Sequence, residues 1–360
     1  MINKGFYQYL ELVAETRHLD IMDVRNVAST ALIKAAQLEG AKGEVSVEYN
    51  EEQNKIRVFQ TFRVVEEVDP EGPEGQITLE EAKEIKTRVR VGSEFRTEIN
   101  INSIGRKGAT RFKQILTQGL KEIAGKRAYE YFKEIEGEII SATVVGVKDH
   151  VVILNIGMDT NTILPLDEKL PGENYTSGTV IKVCITKVEE TGRGPKVFVS
   201  RTHKDIIKRL FETYVPEVAS GVIEVIGIAR EPGSRTKIGI KSSNINVDAK
   251  GACVGLQGSR IKQINEALNG ERIDIFEWND DPIKLIAEAL TPARVISVLI
   301  YEENKKSVVI VPDDQYSLAI GKGGQNARLA SQVTGWKIDI KNEDKAYELG
   351  IRFKPNVYTV

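Results

Sequence analysis

The apolar and polar positions of the N-terminal third predict helices around a hairpin. Apolar side chains recur at helical spacing through residues 1–40. Two alternating runs, 44–49 and 55–65, flank a polar segment and predict a β-hairpin. The following residues 66–75 are acidic and rich in proline and glycine, which indicates a surface loop. A long helix is predicted over residues 107–134.

From Glu136 the pattern changes to short apolar runs separated by turn residues. Five strands in about 65 residues are typical of a small barrel, for which the OB fold is the leading candidate. The predicted strands cover residues 137–147, 150–156, 161–166, 178–189 and 195–200. After the last run, Thr202 is followed three residues later by Asp205, a capping-box pattern that predicts the start of a helix.

The remaining chain contains one element twice. Glycine turns at 255–258 and 321–324 are 66 residues apart, and the Ile-Asp-Ile runs at 273–275 and 338–340 are 65 apart. Each copy has the pattern helix, strand, strand, helix, turn, helix, strand. Repetition over this length indicates a duplicated supersecondary unit.

Each glycine turn has the chemistry of a phosphate-binding site. A G-x-x-G turn between two helices brings backbone amides and a helix N-terminus to one point, where no side chain obstructs a phosphate. Basic residues follow or occupy the turns, namely Arg260, Lys262, Lys322 and Arg328. Such a module clamps about four nucleotides of single-stranded RNA, and the edge of its sheet contacts the bases.

Composition limits the classes of protein that the chain can represent. Its 360 residues suggest about two to four domains. The net charge of −2 argues against general attraction of nucleic acid, so binding must come from local geometry. No apolar run approaches the roughly 18 residues of a membrane span, and the N-terminus lacks the apolar region of a secretory signal. The two unpatterned cysteines fit a reducing compartment, and we predict a cytoplasmic protein.

Several features of the sequence have interpretations other than RNA binding. A single G-x-x-G is more often a plain helix–helix turn, and Gly105–Gly108 is interpreted as a helix start because no repeat unit surrounds it. An enzyme is not expected, since the sequence has no phosphate-loop motif and its three histidines lie far apart. The acidic pairs Asp280-Asp281 and Asp313-Asp314 precede helices and are interpreted as caps. We therefore predict no catalytic residue, metal or cofactor.

Particular sequence stretches resemble the NusA family of bacterial transcription elongation, termination and antitermination factors. The resemblance covers nearly the whole chain and implies an α+β multidomain fold. It is carried by residues 79–82, 191–195, 200–203, 230–237, 251–255, 270–274 and 320–330. The implied domains are a helical/β N-terminal domain (1–133), a five-stranded OB-fold barrel of the S-one type (134–201), two type II, prokaryotic KH domains (202–278 and 279–345) and a C-terminal tail (346–360).

The resemblance also implies partners and a function. The barrel and both KH domains would bind nascent RNA as one surface, while the N-terminal domain docks on the RNA polymerase core near the RNA exit channel. The factor would modulate pausing, intrinsic termination and antitermination together with other antitermination factors, and would be a monomer when free. Arg106 and Lys113 would face the exiting RNA.

The predicted RNA-contacting residues combine both glycine turns with basic residues in or beside the resembling stretches. They are Gly255, Leu256, Gln257, Gly258, Arg260, Lys262, Gly321, Lys322, Gly323, Gly324, Gln325, Arg328, Arg235, Lys237, Arg193, Lys196 and Arg201. One competing interpretation fits the RNA-binding modules equally well: a ribosome or RNA-maturation protein that never contacts polymerase. Only the N-terminal domain discriminates between the two.

Overall fold

The computed structural model describes residues 2–101, 104–148, 151–192 and 194–357. Contacts between Cα atoms divide the chain into two compact units. The first unit contains Met1–Glu134 together with Glu189–Lys196, and the second contains Ile135–Val188 and Val197–Val360. Within the described residues, the structure has no helix with the length and apolarity needed to cross a bilayer.

The first unit packs helices against a four-stranded sheet. Its elements are α1 (Ile2–Thr16), α2 (Ile21–Leu38), β1 (Glu44–Asn50), β2 (Lys55–Val65), β3 (Gln76–Thr78), α3 (Leu79–Ile85), β4 (Glu94–Ile99) and α4 (Arg106–Glu134). The central strand β2 pairs antiparallel with β1 and β4 and parallel with β3. Apolar side chains of α1, α2 and α4 form one core with β1 and β2.

The predicted hairpin, acidic loop and long helix of this unit are confirmed. The helical region predicted over residues 1–40 consists of two helices, because Asp20 begins α2 by accepting the amide hydrogens of Met22 and Asp23. The segment β3-α3-β4 was not predicted. Its helix begins with a capping box in which Thr78 and Glu81 bond each other's backbone amides.

Five antiparallel strands form the predicted barrel. They are β5 (Ile139–Lys148), β6 (Val151–Asn155), β7 (Asn161–Pro165), β8 (Val180–Thr191) and β9 (Gly194–Ser200), in the spatial order β7-β6-β5-β8-β9. The hydroxyl of Thr162 on β7 donates a hydrogen bond to the carbonyl of Val197 on β9. Because this bond joins the two outer strands, the barrel is nearly closed, which is consistent with the predicted OB fold.

The two repeats have the same topology. The first contains α5 (Asp205–Tyr214), α6 (Pro216–Ala219), β10 (Ile223–Glu231), β11 (Arg235–Ser242), α7 (Ala249–Val254), α8 (Ser259–Ala267) and β12 (Arg272–Glu277). The second contains α9 (Pro282–Ala289), β13 (Ser297–Tyr301), β14 (Lys306–Val311), α10 (Tyr316–Ile320), α11 (Gln325–Thr334), β15 (Lys337–Asn342) and then α12 (Glu343–Glu348). In each sheet an antiparallel hairpin pairs with a third, parallel strand.

Two of the predicted helix caps are corrected. Thr202 does not cap α5, because its hydroxyl donates to Glu168 at 2.6 Å, and Ser200 instead accepts the amide hydrogens of Thr202 and His203. Asp281 caps α9 as predicted, by accepting the amide hydrogen of Ile283 at 3.0 Å. At the second acidic pair, Asp314 accepts from Arg294 at 3.3 Å and does not act as a cap.

One apolar core spans both repeats. Ala229 and Phe276 of the first repeat are buried together with α9, α11 and the sheet of the second. A Cβ added at Gly239 would lie 2.7 Å from the ring of Trp278, and one added at Gly227 would lie 3.0 Å from Val333 on α11. Gly227 therefore allows α11 of the second repeat to pack closely on the sheet of the first, and Gly239 leaves room for the ring of Trp278.

Candidate nucleic-acid interface

The two glycine turns share one backbone shape. Gly255 and Gly321 have φ/ψ of 74/171° and 77/168°, and Gly258 and Gly324 have 75/16° and 77/11°. In both turns the amide of the last glycine donates to the carbonyl of the first at 3.0 Å. We call Gly255–Gly258 the first loop and Gly321–Gly324 the second loop.

Both loops leave a helix N-terminus open. Helices α8 and α11 begin directly after Gly258 and Gly324, and neither helix has a side-chain cap. The first amides of a helix have no partner within the helix, and here no side chain of the cap residue occupies them. Each loop therefore presents backbone donors and the positive end of a helix dipole, which together attract phosphate.

The first glycine of each loop is required by packing as well as by its backbone angles. A Cβ at Gly255 would lie 2.7 Å from Cγ of Arg260, and a Cβ at Gly321 would lie 2.8 Å from the backbone nitrogen of Asn326. The residue five positions after the first glycine thus packs directly beneath the loop. Only glycine satisfies both constraints.

That supporting residue differs between the loops. Nη1 of Arg260 donates to the Ala252 carbonyl at 2.6 Å and contacts Glu217 at 2.8 Å. In the second loop, Nδ2 of the buried Asn326 donates to the carbonyls of Leu290 and Ala319, each at 3.0 Å. Arg260 was predicted to contact RNA, and the structure places its guanidinium under the loop as a support.

The outward positions carry the side chains that a bound strand would meet. Leu256 is 86% exposed and Gln257 is exposed, while the second loop offers the exposed pair Lys322 and Gly323. On α8, the Lys262 side chain is 76% exposed, and Glu266, at 4.0 Å, is its one ion-pair partner among the described residues. These residues remain the predicted RNA-facing set.

Two predicted RNA contacts at the second loop, Arg328 and Gln325, bind the first repeat. Nε and Nη2 of Arg328 each lie 2.7 Å from Oε1 of Glu231, at the end of β10. The Gln325 amide donates to Oε2 of Glu231 at 2.7 Å and to Ser234 at 2.8 Å. Nη1 of Arg328 also donates to the Gly323 carbonyl at 3.1 Å, so the same guanidinium touches the loop.

Lys237 joins the two repeats. Its fully buried ammonium lies 2.7 Å from the Thr291 carbonyl and 3.2 Å from Asp274, which also accepts from Arg235 at 2.7 Å. Burial lowers the pKa of the Lys237 ammonium to about 8, and the charge of Asp274 opposes part of that shift. In the structure Lys237 joins the two repeats, whereas RNA contact was predicted for it. Asp274 also holds the Arg235 guanidinium against β12.

Arg201 joins the barrel to the first repeat. Its guanidinium is almost completely buried, donates to Glu173 at 2.5 and 2.8 Å, and reaches the Ala267 carbonyl of α8 at 3.1 Å. A charge enclosed in this way is stabilised by its partner and does not meet solvent. The predicted RNA contact of Arg201 is therefore replaced by a structural one.

The remaining predicted residues lie on other surfaces. Lys196 is exposed on β9, and Arg193 lies outside the described residues. Arg106 and Lys113 are exposed on α4, where seven basic residues between 106 and 127 have no carboxylate of the described chain within ion-pair distance. Other arginines of the same unit are paired, for example Arg57 with Glu98 and Arg63 with Glu94.

The glycines at 105 and 108 form no third cradle. Glu39 accepts the Gly108 amide hydrogen at 2.7 Å, and a Cβ at Gly105 would lie 2.8 Å from the same carboxylate. This space is filled, and the interpretation as a helix start is confirmed because α4 begins at Arg106. Across the described residues, no group of three or more histidine, cysteine or acidic side chains has metal-binding geometry.

Sequence reasoning missed the acidic partners that hold these cations. Glu173, Glu231 and Asp274 lie between 28 and 97 residues from the basic residues that they bind. For Glu231 and Asp274 the signal was composition, since the stretches at 230–237 and 270–274 carry charges of both signs. Spacing along the chain does not show which of those charges meet.

Three family models match the chain. They are the NusA N-terminal domain over residues 5–126, the NusA-like first KH domain over 201–278 and the NusA-like second KH domain over 282–348. The two KH matches coincide with the two repeats, and the N-terminal match covers most of the first unit.

Curated relatives match over most of their length. The transcription termination/antitermination protein NusA of Halalkalibacterium halodurans is 43% identical over 325 residues, which are 89% of this chain and 84% of that protein. The Bacillus subtilis protein of the same name is 44% identical, covering 85% of this chain and 82% of its own. The Thermus thermophilus protein is 37% identical, with 95% and 91% covered.

Proposed function

The chain belongs to the NusA family of transcription termination/antitermination proteins, and we propose that its two glycine loops grip nascent single-stranded RNA while its N-terminal domain contacts RNA polymerase. In this role the protein modulates pausing, intrinsic termination and antitermination. The proposal rests on one observation above all. Two loops of the same open backbone shape each end at an uncapped helix N-terminus.

The RNA-facing residues that we propose are those on the open side of the loops. In the first repeat they are the backbone of Gly255–Gly258, Gln257 and Lys262, and in the second the backbone of Gly321–Gly324 and Lys322. Each loop offers amides and few cations, so a single repeat would bind weakly. Two loops on one shared core gain from effective concentration.

The direct test is a charge reversal in the second loop. Replacing Lys322 and Gly323 with Asp should abolish RNA binding by this repeat without unfolding it. The side chain at 323 would enter open space, and Asp tolerates the left-handed backbone found there. Lys305→Asp is the control for reversal of one charge outside the loop, because it changes the charge by −2, against −3 in the loop variant, at an exposed left-handed residue of the β13–β14 turn. Unchanged RNA affinity of the loop variant in a gel-shift titration defeats the proposal.

The contribution of both loops to RNA binding can be tested separately. Gly258→Asp and Gly324→Asp should together weaken RNA binding more than either change alone. An added Cβ has room at both positions, with its nearest neighbours at 3.8 Å. Equal losses in the single and double variants would mean that one loop does not contribute.

Polymerase contact is supported by the N-terminal family match and by the seven basic residues between 106 and 127 on α4, which have no ion-pair partner among the described residues. We place Arg106 and Lys113 on the side of the exiting RNA. The full chain should co-elute with core RNA polymerase and lengthen pauses in an elongation assay, and Arg106→Glu with Lys113→Glu should shorten them again. A chain that binds RNA but never co-elutes with polymerase would favour the competing interpretation of an RNA-maturation protein.

A further inference from the structure

Glu231 is an acidic residue at the edge of a proposed anion-binding loop. It ends β10 in the first repeat, and its carboxylate holds Arg328 and Gln325, which both follow the second loop. The Arg328 guanidinium that it binds also contacts the Gly323 carbonyl of that loop. A phosphate seated on the second loop would therefore meet Arg328 beside a carboxylate.

The first loop lacks this arrangement. Lys262 lies 66 positions before Arg328 and is its counterpart on α8. Its one ion-pair partner among the described residues is Glu266, four residues along the same helix at 4.0 Å. The two loops thus share a backbone shape, but only Arg328, and not its counterpart Lys262, is held by a carboxylate of the other repeat among the described residues.

The carboxylate at 231 is ionised at neutral pH. Partial burial alone would raise the pKa of Glu231, but hydrogen bonds from Gln325 and Arg328 and the charge of Arg328 lower it below its ordinary value. The pair is nevertheless accessible, because the Arg328 side chain is 50% exposed and that of Glu231 is 30% exposed. Ion pairs with this exposure are weak and can be exchanged for another anion.

We propose that Glu231 competes with the RNA phosphate for Arg328, so that the second loop gains this cation only when a phosphate displaces the carboxylate. The planar guanidinium fork fits carboxylate and phosphate oxygens alike, which makes the exchange chemically direct. Glu231 is therefore a residue that limits affinity and sets how strongly binding depends on salt. This inference rests on the proposed function of the second loop.

The test compares salt dependence in the full chain. Anisotropy of a labelled 12-nucleotide (about three loop footprints) single-stranded RNA is measured over a salt series for the unmodified chain and for Glu231→Gln. The substitution keeps the shape and removes the charge. We expect affinity at low salt to rise up to about fivefold, the factor that one exposed ion pair represents. The log–log salt slope should steepen by about 0.7, the contribution of one more phosphate contact on a single strand.

Two further variants separate competition from a general charge effect. In an Arg328→Gln background, Glu231→Gln should bring no gain, because the cation released by the change is gone. Glu303→Gln removes an exposed carboxylate from the β13–β14 turn of the same unit and should leave affinity within about twofold, the scatter of surface substitutions. A merely structural role of Glu231 would change the stability of the fold but not the salt slope.

The outcomes distinguish this inference from the function on which it rests. RNA binding by the unmodified chain with no gain, or a loss, in Glu231→Gln overturns the competition. An equal gain with and without Arg328 also overturns it. Absence of RNA binding by the unmodified chain at every salt concentration defeats the proposed function, and this inference with it.

Discussion

The two glycine loops have the same backbone and different chemistry. Their glycines match in φ and ψ to within a few degrees, and both loops close with the same hydrogen bond. The first loop exposes Leu256 where the second exposes Lys322, and has Gln257 where the second has Gly323. The shape of the loops is determined by the positions whose φ and ψ favour glycine. The residues at the other positions can differ without changing that shape.

The residues that support the two loops from beneath also differ. Arg260 supports the first loop from a partly exposed position and forms an ion pair with Glu217 on α6. Asn326 supports the second loop from inside the core and reaches the end of α9 through Leu290. The same turn is thus held once by a charged pair and once by a buried neutral amide. The cost of losing the support should differ accordingly.

The largest effect is expected from adding a methyl group to the first glycine. Gly321→Ala should lower the free energy of unfolding by about 3 kcal/mol or more, because the backbone region alone costs about 1–3 kcal/mol and the clash is with an immobile backbone nitrogen. Gly255→Ala should cost less, about 2 kcal/mol, since the clashing Arg260 side chain can move.

Urea unfolding of the full chain measures both variants through the fluorescence of Trp278 and Trp336, which lie in the two repeats. Gly335→Ala is the control for a left-handed φ without a steric clash, because it has φ of 73° and ψ of 12° and no atom within 4 Å of the added Cβ. Equal losses for all three variants would mean that neither the extended ψ of the loop glycines nor the packing beneath them adds to the cost of a Cβ.

Removing the supporting side chain should also cost more stability at the second loop than at the first. Asn326→Ala should destabilise the fold by about 2 kcal/mol, because it strips buried carbonyls of their donor. Arg260→Ala should cost about 1 kcal/mol or less, since its ion pair is partly exposed to solvent. The same unfolding measurement applies, and a larger loss for Arg260→Ala would reverse our ranking of the two supports.

An exchange at the exposed position tests whether charge distinguishes the loops. Leu256→Lys gives the first loop the cation of the second and should raise RNA affinity several-fold at low salt, steepening the salt slope by about 0.7. Leu256→Gln is the control, because it removes the apolar side chain without adding charge. A similar gain in both variants would show that loss of leucine, and not the new charge, is responsible.

The smallest effect is expected at the third position of the loops. Gln257 adopts φ of 51° without being glycine, so Gln257→Gly relieves strain and should change stability by less than about 1 kcal/mol, in the stabilising direction. Gly323→Ala places a side chain in the matching conformation and should destabilise by about 1 kcal/mol. Shifts of the same sign in the two variants would contradict equivalent backbones.

Much of the architecture was predictable because it depends on local pattern. Periodicity predicted α4, the β1–β2 hairpin, the five barrel strands and both repeats. The segment 76–99 was missed, since a three-residue strand and a seven-residue helix are too short for a periodic signal. Thr202 and Asp205 matched a capping pattern, but the Thr202 hydroxyl donates its hydrogen bond to the Glu168 carboxylate of the barrel.

The candidate site was predictable in its glycines and only partly in its cations. The loops lie where the spacing placed them, with their helix N-termini open. Arg201 and Lys237, by contrast, were predicted to contact RNA and are buried between modules. A basic residue in a motif has the same appearance in the sequence whether it faces a phosphate or a carboxylate.

The amino-acid sequence alone determined the duplicated unit, the positions of both turns and the residue types that can approach a phosphate, because glycine conformations and side-chain periodicity act within a few residues. Tertiary structure alone decided which charges remain available. Glu231 and Arg328 are 97 residues apart and meet at 2.7 Å only because one apolar core packs the second repeat against the first. Coulombic pairing depends on distance in space, which the order of residues does not specify.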